Sequence, residues 1–373
     1  MTNIIIFIPD DYAAGGVQRS TMNIRQALVD KGHNVSILTI KLIEDGYSKY
    51  FDFIKQVSPD HQSKLIFWCL FAINFRQLLK SNKDSVFIAL GLTTSILLGM
   101  LSVGIKMRAL IGSERIFPPM EKSSRLISLL RYLFFRRLDC VVGQSQETVH
   151  WFSDNLGMKN SQLTVIPNVI LPPSFELISL IQRNINRDAY KGDQPVIACI
   201  GRLTTQKGFD YAINIFSIVQ KKIPLVTMVV VGDGLEKAAL VQLVSTLGLK
   251  GKVTFVSRLD DLSNVFMTSD ILLFPSRYEG FPNVLAEAMA HGLPAVAFDC
   301  LTGPADLIEH GVNSFLVDVG DVDAAAELSL TLLEDHGLRN QFAASAMKVA
   351  DKFSPAVIGE KWSALMDRVS LRQ

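Results

Sequence analysis

Two glutamates, Glu279 and Glu287, lie eight residues apart in the segment RYEGFPNVLAEAMAHGLP, residues 277–294. The segment predicts a loop that opens a helix, because Pro282 suits the first helical position and the alanines that follow favour helix. Gly292 predicts the end of that helix. Helical side chains lean toward the N-terminus of their helix, so we expect both carboxylates to reach one small volume at the helix mouth.

Sugar hydroxyls are the natural partners of these two carboxylates. An ionised carboxylate repels phosphate but accepts hydrogen bonds from two hydroxyl groups at once. The backbone N–H groups of residues 280–284 lie at the same helix mouth and can bind hydroxyls or anions. The simpler alternative is that Glu279 is a capping acid and that Glu287 is an exposed glutamate on the helix.

Two cations, Arg202 and Lys207, lie in the segment GRLTTQKGFD, residues 201–210. The apolar run before this segment predicts a strand, and a helix is expected from Phe209, so both cations lie in a short loop at the carboxyl end of the strand. A planar guanidinium fork and an ammonium point charge together suit a diphosphate. A solvated basic loop is the alternative interpretation.

Glycine-rich turns follow other predicted strands. In DDYAAGGVQR, residues 10–19, Gly16 opens a helix and allows the backbone to approach a ligand closely. The pattern is not Gly-x-Gly-x-x-Gly, so the dinucleotide fingerprint is absent. We interpret VVGDG at 230–234 as a structural turn. We interpret DVD at 321–323, which directly precedes a predicted helix, as a helix cap rather than a metal-binding motif.

Apolar strands alternate with amphipathic helices along almost the whole chain, which is typical of parallel sheets covered by helices on both faces. Helices are predicted at residues 16–32, 95–103, 123–138 and 209–222, among others. The predicted strands are residues 4–9, 34–40, 85–90, 108–113, 140–145, 162–168, 195–201, 225–232, 252–257, 271–276, 294–299 and 313–318.

These elements predict an α/β fold with two Rossmann-like, doubly wound domains that face a central cleft. Residues 169–194 are rich in proline and polar side chains and predict the linker. The expected domains are residues 1–175 and 190–354, and the last helix, 355–373, is expected to return to the first domain. In such sheets ligands bind beyond the carboxyl ends of the strands, which is where the polar segments above lie.

The composition argues against several classes of function. A net charge of +1 over 373 residues gives no basic field for nucleic acid, so no nucleic-acid partner is expected. The four cysteines form neither a Cys-x-x-Cys pair nor a Cys/His cluster, so we expect no metal site and no disulfide framework. They are Cys69, Cys140, Cys199 and Cys300, and we expect buried free thiols in a reducing compartment.

Residues 86–105 carry no charge for twenty positions, which is long enough for a membrane span. Gly91 and the polar break Thr93-Thr94-Ser95 argue against a span and favour a buried strand at 86–90 followed by a buried helix at 95–103. The N-terminal segment MTNIIIFIPDDY has no basic region, and its apolar run is too short for a signal peptide.

Taken together, these motifs resemble the retaining, nucleotide-sugar-dependent glycosyltransferases of family 4. The resemblance is carried by GGVQR, GRLTTQKGFD, VVGDG and PSRYEGFPNVLAEAMAHGLPAVAFDCLTGPADLIEHGVNSFLV. It covers nearly the whole chain and is strongest from residue 195 to 320. It implies the GT-B architecture, with the acceptor on the first domain and the donor held by the second, and a reaction that uses neither a metal nor a cofactor.

The resemblance also implies roles for individual residues. As catalytic residues, Arg202 and Lys207 would hold the donor diphosphate and Glu279 the transferred sugar. Glu287 would bind the ribose hydroxyls, and Gly16 would approach the diphosphate or the donor sugar from the first domain. The implied donor-binding residues are Gly16, Gly280, Phe281, Pro282, Asn283 and Glu287.

One departure from the family pattern lies in LIGSERIFPPMEK, residues 110–122, which has no histidine where many members have one. Its Ser113-Glu114-Arg115 is similar to a subgroup that builds bacterial surface polysaccharides and lipid-linked oligosaccharides and often moves galactose or N-acetylgalactosamine. We therefore place Glu114 and Arg115 on the acceptor side, with Arg115 facing the acceptor or its phosphate. A local ion pair between these two residues is the alternative.

Two segments suit a helix that lies on an anionic membrane, namely residues 122–138 and, as a second candidate, 64–80. In the first, basic residues lie beside leucines and phenylalanines, and an ordinary core-packing helix with a basic face is the alternative. The basic residues are Lys122, Arg125, Arg131, Arg136 and Arg137. For a lipid-linked acceptor we favour membrane contact and a cytoplasmic protein peripheral to the inner face of the plasma membrane.

The function expected from the sequence is transfer of a hexose or an N-acetylhexosamine from a UDP-sugar to a lipid-linked glycan. The base of the nucleotide is expected near Val256–Asp261. A GDP-mannose-dependent mannosyltransferase is the nearest alternative, and a non-catalytic partner subunit with the same fold is another. An epimerase of this fold is a further rival; a phosphorylase would need a pyridoxal-bearing lysine site and a longer chain.

Overall fold

The computed structural model describes residues 1–9, 16–40, 64–120, 123–174 and 194–370. The chain forms two compact units, the first made of Met1–Val169 with Pro355–Gln373 and the second of Ile170–Ser354. Residues 10–15 of the first glycine-rich segment and most of the predicted linker at 169–194 lie outside the described residues.

The first unit is built on a parallel six-stranded sheet with the order β2-β1-β3-β4-β5-β6. Its strands are β1 Asn3–Ile8, β2 Asn34–Thr39, β3 Val86–Leu90, β4 Ala109–Ser113, β5 Cys140–Gly143 and β6 Leu163–Val165. The helices described between them are α1 Gly16–Asp30, α2 Lys64–Ser81, α3 Leu92–Leu101, α4 Arg125–Phe135 and α5 Gln146–Leu156.

The uncharged run at residues 86–105 forms a buried strand and a helix, as predicted, but the helix begins at Leu92, so Thr93-Thr94-Ser95 lie in its first turn rather than in a loop. All five residues of β3 are buried, and α3 follows after a single residue, Gly91. Gly91 has a φ of 113°, a backbone conformation that residues with a Cβ rarely adopt. The glycine therefore makes the sharp turn from strand to helix possible. Among the described residues, no helix has both the length and the apolar character needed to cross a bilayer.

The second unit repeats the architecture with the strand order β12-β11-β10-β7-β8-β9, again all parallel. Its strands are β7 Val196–Ile200, β8 Thr227–Val231, β9 Val253–Val256, β10 Ile271–Phe274, β11 Ala295–Phe298 and β12 Phe315–Val317. Its described helices are α6 Phe209–Lys222, α7 Lys237–Thr246, α8 Ser263–Thr268, α9 Asn283–Ala290, α10 Pro304–Leu307, α11 Val322–Glu334, α12 His336–Ala346 and α13 Val349–Lys352.

The C-terminal helix, α14 Pro355–Ser370, belongs to the first unit and packs against α1. A Cβ at Gly359 would lie 3.2 Å from the carbonyl oxygen of Ala27, so the small residue allows close approach of the two helices. Lys31, the residue directly after α1, forms an ion pair with Glu360 of α14.

Three expectations need correction. Pro282 is the N-cap of α9 rather than its first helical residue, and the helix begins at Asn283. Cys69 is exposed, because it lies on the outer side of α2, whereas the other three cysteines are buried thiols as expected. Arg131 is buried and does not belong to the basic surface predicted for residues 122–138.

The helix-cap interpretation of residues 321–323 is confirmed. The Asp321 carboxylate accepts a hydrogen bond from the N–H of Ala324 at 3.0 Å and forms the N-cap of α11. This bond satisfies one of the N–H groups that have no partner within the helix.

Candidate functional site

The two polar segments that the sequence singled out lie side by side in the second sheet. Strand β7 pairs with β8 on one side and with β10 on the other, so the strand order reverses direction between β7 and β10. The loop after β7 carries Arg202 and Lys207, and the loop after β10 carries Glu279. Ligands of open α/β sheets bind at such a reversal, beyond the carboxyl ends of the strands.

Lys207 and Glu279 meet in this place. The ammonium Nζ of Lys207 donates to Oε1 of Glu279 at 2.6 Å, and the two side chains are 17% and 5% exposed. Lys207 ends a short 3₁₀ turn, Thr205–Lys207, and its Nζ also lies 5.6 Å from the centre of the Phe274 ring. A partly buried ammonium beside a buried carboxylate offers one group for an anion and one for hydroxyls.

The backbone around Glu279 is held by the loop that follows β11. Thr302 is buried and its hydroxyl donates to the carbonyl oxygen of Glu279. Gly303 has a φ of 101°, and a Cβ there would lie 2.6 Å from Cδ of Pro282. The loop after β11 therefore packs directly against the segment from Glu279 to the start of α9.

The segment after Glu279 leads into the N-terminus of α9, as predicted. Gly280 and Phe281 are buried, and the Phe281 ring packs on Phe353 with ring centres 5.5 Å apart, so the side chain of Phe281 belongs to the packing of the second unit. Asn283 begins the helix and is partly exposed. Glu287 lies in the second turn of α9 and is partly exposed.

Arg202 is exposed in the turn that follows β7. This turn packs closely on the glycines of VVGDG, since a Cβ at Gly232 would lie 1.9 Å from the carbonyl oxygen of Gly201. A Cβ at Gly234 would lie 2.3 Å from the carbonyl oxygen of Leu203. The structural interpretation of VVGDG is confirmed, because these glycines allow the turns after β7 and β8 to pack together.

In the first unit, a buried polar cluster lies at the carboxyl ends of β4, β5 and β6. The guanidinium Nη1 of Arg115 donates to Oδ1 of Asn168 at 2.6 Å, and the hydroxyl of Ser20 donates to the same oxygen at 2.7 Å. The side-chain amide of Gln144 lies 2.6 Å from that oxygen. Ser20 comes from α1, the helix that begins at Gly16. The cluster therefore fixes Arg115 beside the helix that carries Gly16.

Glu114 has a different surrounding from Arg115. Its Oε1 accepts a hydrogen bond from Nη2 of Arg131 at 2.6 Å, and the two side chains are 1% and 4% exposed. The Arg131 guanidinium also lies 5.6 Å from the centre of the Trp151 ring. Glu114 thus links the end of β4 to α4 inside the first unit, and the acceptor-side role expected for it stays a prediction.

Asn168, Gln144 and Ser20 were missed by the sequence analysis. The available signal was weak: Gln144 follows β5 directly, and Asn168 lies three residues after β6. Polar residues at the carboxyl ends of parallel strands are candidates for a site, but which of them converge depends on strand order.

No group of three or more His, Cys, Asp or Glu side chains able to hold a metal occurs among the described residues. Burial, together with the nearby charge of Glu279, raises the pKa of the Cys300 thiol to about 12. Burial also raises the pKa of the Cys199 thiol, despite the nearby Lys207. Both groups are therefore neutral thiols at physiological pH.

Comparison with protein families gives two matches that together cover most of the chain. Residues 181–349 match the model described as glycosyl transferases group 1, and residues 14–170 match the model described as glycosyltransferase family 4. The division between the two matches falls where the linker was predicted.

Relatives and solved structures agree with these matches. The chain is 26% identical over 98% of its length to an uncharacterised glycosyltransferase of Haemophilus influenzae, all of which is covered. It is 30% identical over 249 residues, 66% of this chain and 67% of the relative, to the amylovoran biosynthesis glycosyltransferase AmsD of Erwinia amylovora. The crystal structure of Anabaena HepE in complex with UDP superposes with a TM-score of 0.79 over 98% of this chain and 100% of that chain, at 21% identity.

Proposed function

The chain belongs to the GT-B glycosyltransferases of family 4, and on that premise we propose that it is a retaining enzyme that transfers a hexose or an N-acetylhexosamine from a UDP-sugar to a lipid-linked glycan. Galactose or N-acetylgalactosamine is the favoured sugar, because Ser113-Glu114-Arg115 is similar to the subgroup that often moves these sugars. The product would be a bacterial surface polysaccharide such as an O-antigen, capsule or exopolysaccharide, as the name of the Erwinia relative supports.

The ion pair of Lys207 with the buried Glu279, at the reversal of strand order, is the observation that carries this proposal. Lys207, with the exposed guanidinium of Arg202, would stabilise the diphosphate as it leaves and gains negative charge. The N-terminal end of α9 adds positive potential at the same edge of the sheet. Glu279 would accept hydrogen bonds from hydroxyls of the transferred sugar, and Glu287 from those of the ribose.

In the proposed reaction the acceptor hydroxyl attacks the anomeric carbon on the face that the nucleotide leaves, so the anomeric configuration is kept. We assign no protein nucleophile and no metal to this step. On the acceptor side, Arg115 would bind the acceptor or its phosphate, held in place by Asn168. An arginine fork matches the geometry of phosphate oxygens.

A membrane-bound acceptor agrees with the surface of the first unit. Helix α3 packs against both α2 and α4, and none of the three contains an acidic residue. Large apolar side chains on α2 and α4 are exposed, and Arg125, Arg136 and Arg137 are exposed at the ends of α4. These apolar side chains are Ile66, Trp68, Ile73, Leu126, Ile127, Leu129, Tyr132 and Leu133. Basic and apolar groups together suit the surface of an anionic bilayer, so we propose a cytoplasmic protein peripheral to the inner face of the membrane.

A thermal-shift panel tests the donor class. Purified protein is heated with UDP, GDP, ADP, UDP-galactose, UDP-N-acetylgalactosamine, UDP-glucose or GDP-mannose. A ligand at one hundred times its dissociation constant stabilises the folded state by about 2.7 kcal/mol, which raises the melting temperature measurably. UDP and one UDP-sugar are expected to respond. A response to GDP and GDP-mannose alone would replace the proposal with a mannosyltransferase, and no response from a well-folded sample would favour a non-catalytic subunit.

A further inference from the structure

A second ion pair, between Asp210 and Arg277, lies next to the pair of Lys207 and Glu279. Both terminal guanidinium nitrogens of Arg277 donate to the Asp210 carboxylate, Nη1 to Oδ1 at 2.9 Å and Nη2 to Oδ2 at 2.6 Å. Asp210 lies in the first turn of α6, three residues after Lys207, and Arg277 lies two residues before Glu279. The bidentate geometry fixes both the distance and the relative orientation of the two side chains.

The same arginine also joins the loop backbones. Nη1 of Arg277 donates to the carbonyl oxygen of Thr205 at 2.7 Å, and the Arg277 N–H donates to the carbonyl oxygen of Gln206 at 2.8 Å. In return, the Gln206 side-chain amide donates to the carbonyl oxygen of Tyr278 at 3.0 Å. The two loops that carry Lys207 and Glu279 are therefore bonded to each other directly before the two functional side chains.

The guanidinium of Arg277 also packs on an aromatic ring. The Arg277 guanidinium lies 4.3 Å from the centre of the Tyr211 ring, a cation–π distance. The Tyr211 ring in turn packs edge-on against Phe298 of β11, with ring centres 5.3 Å apart. The clamp formed by Asp210, Tyr211 and Arg277 thus rests on the buried sheet rather than on solvent-exposed loop.

We propose that Asp210 and Arg277 are positioning residues that hold Lys207 and Glu279 in register for the diphosphate and the sugar of one donor molecule. The inference rests on the proposed function, since it assigns the register a purpose in donor binding. Lys207 and Glu279 reach the site from different loops, and each loop leaves its strand several residues earlier. Displacement of a binding group by about 1 Å can reduce a rate about a hundredfold, so donor binding needs the correct alignment of the two loops as well as the two side chains.

The test uses two variants that disturb the clamp in different ways and one matched control. Arg277→Lys keeps the charge but loses the fork, and Asp210→Asn keeps the shape but loses the charge. The control is Asp270→Asn, which weakens the partly buried ion pair of Asp270 with Arg339, 3.2 Å apart. Asp270 directly precedes β10 and so lies at the amino ends of the strands, away from the loops that carry Lys207 and Glu279. All three variants are expected to fold and to lose a similar amount of thermal stability.

Hydrogen exchange measured by mass spectrometry tests the coupling of the loops without any ligand. Amides in residues 203–209 and in 275–281 are expected to exchange faster together, by about tenfold, in both clamp variants and not in the control. Faster exchange in only one loop, or in neither, would overturn the proposal.

Calorimetric titration with UDP tests whether the alignment of Lys207 and Glu279 by the clamp serves donor binding. The dissociation constant is expected to rise about tenfold in Arg277→Lys and Asp210→Asn and to stay within twofold of wild type in Asp270→Asn. Unchanged UDP affinity in both clamp variants would overturn the positioning role. Wild-type protein that binds neither UDP nor GDP would contradict the proposed function and with it the purpose of the clamp, whereas the exchange experiment would still decide whether the loops are coupled.

Discussion

Lys207 Nζ lies 2.6 Å from Glu279 Oε1, although the two residues are 72 positions apart in the sequence. The contact exists because β7 and β10 are neighbours in the second sheet, which brings the loops at their carboxyl ends together. The Glu279 side chain is 5% exposed, so its negative charge depends on this ammonium for compensation. One contact therefore contributes to stability and places two groups of opposite charge where a nucleotide-sugar is proposed to bind.

The first prediction separates the contribution of the Lys207–Glu279 contact to stability from its role in the proposed donor site. Lys207→Met leaves the Glu279 carboxylate buried without its counter-ion, and we expect a loss on the order of 3 kcal/mol in the free energy of unfolding. Glu279→Gln removes the charge of the partner, so the double variant Lys207→Met with Glu279→Gln is expected to recover most of that stability. Denaturant unfolding monitored by circular dichroism measures all three.

The double variant is expected to recover stability but not the transfer of the donor sugar. The double variant is predicted to be well folded but at least a hundredfold less active than wild type with a UDP-sugar, because neither an ammonium nor a carboxylate remains. A double variant that is both stable and active would show that the pair has only a structural role.

The second prediction concerns Glu114 and Arg131 in the first unit. Their side chains are 1% and 4% exposed, so Arg131→Met is expected to lower the free energy of unfolding by about 3–5 kcal/mol. Replacing both partners, as in Glu114→Gln with Arg131→Met, is expected to lower the free energy of unfolding much less, because no charge is left buried without a partner. Urea unfolding of the single and double variants measures the difference. Equal losses in both would mean that the packing of Arg131 on Trp151, rather than its charge, supplies the stability.

The third prediction is a pH dependence of stability. Burial raises the pKa of the Asp210 carboxyl, but the hydrogen bonds and charge of Arg277, with two backbone N–H groups, outweigh burial and leave the pKa below its usual range. A lowered folded-state pKa stabilises the protein above the unfolded pKa of about 3.9, and that stabilisation is lost as the pH falls through the folded-state value. The contribution of the Asp210 carboxylate to the stability of wild type is therefore constant between pH 5 and 8.

The difference in stability between wild type and Asp210→Asn is accordingly expected to be constant from pH 5 to 8 and to shrink below pH 4. Melting temperatures of both proteins across this range measure it. A difference that instead grows as the pH falls would contradict the sign of the shift.

The fourth prediction tests the surface formed by α2 and α4. Arg136→Glu with Arg137→Glu places two acidic side chains beside the exposed apolar residues of α4, and we expect binding to liposomes of anionic lipid to fall at least fivefold in a sedimentation assay. Lys221→Glu with Lys222→Glu makes the same change of charge in the last turn of α6, in the second unit, and is expected to leave binding unchanged. Equal losses in both pairs would indicate that net charge, not this surface, drives the binding.

Much of the fold could be predicted because its elements carry strong local patterns. Helix 209–222 was predicted with the bounds that it has in the structure, since its apolar positions repeat with helical period. The strands were predicted within a few residues of their observed ends, because buried parallel strands are continuous apolar runs. The start of α9 was one residue off, since Pro282 is favourable both at the N-cap and in the first turn.

The contacts of the site were harder to predict than its members. Lys207 and Glu279 were each assigned to a ligand, but their mutual contact follows from the order of β7 and β10 in the sheet, which no local pattern records. Arg131 was expected on a basic surface, because its partner Glu114 is distant in sequence and helical periodicity cannot show an ion pair. The ion pair of Asp210 and Arg277 within the clamp had no sequence signal for the same reason, since the two residues are 67 positions apart.

Glu287 is proposed to bind the ribose hydroxyls of the donor, and this contact can be measured without any acceptor. Calorimetric titration of wild type and of Glu287→Ala with UDP and with 2′,3′-dideoxy-UDP forms a cycle in which one arm removes the carboxylate and the other removes the hydroxyls. We expect wild type to lose at least tenfold in affinity when the hydroxyls are removed, and the variant to bind both nucleotides equally weakly. A variant that still prefers UDP as strongly as wild type, or a wild-type protein that binds neither nucleotide, would contradict the proposed donor site.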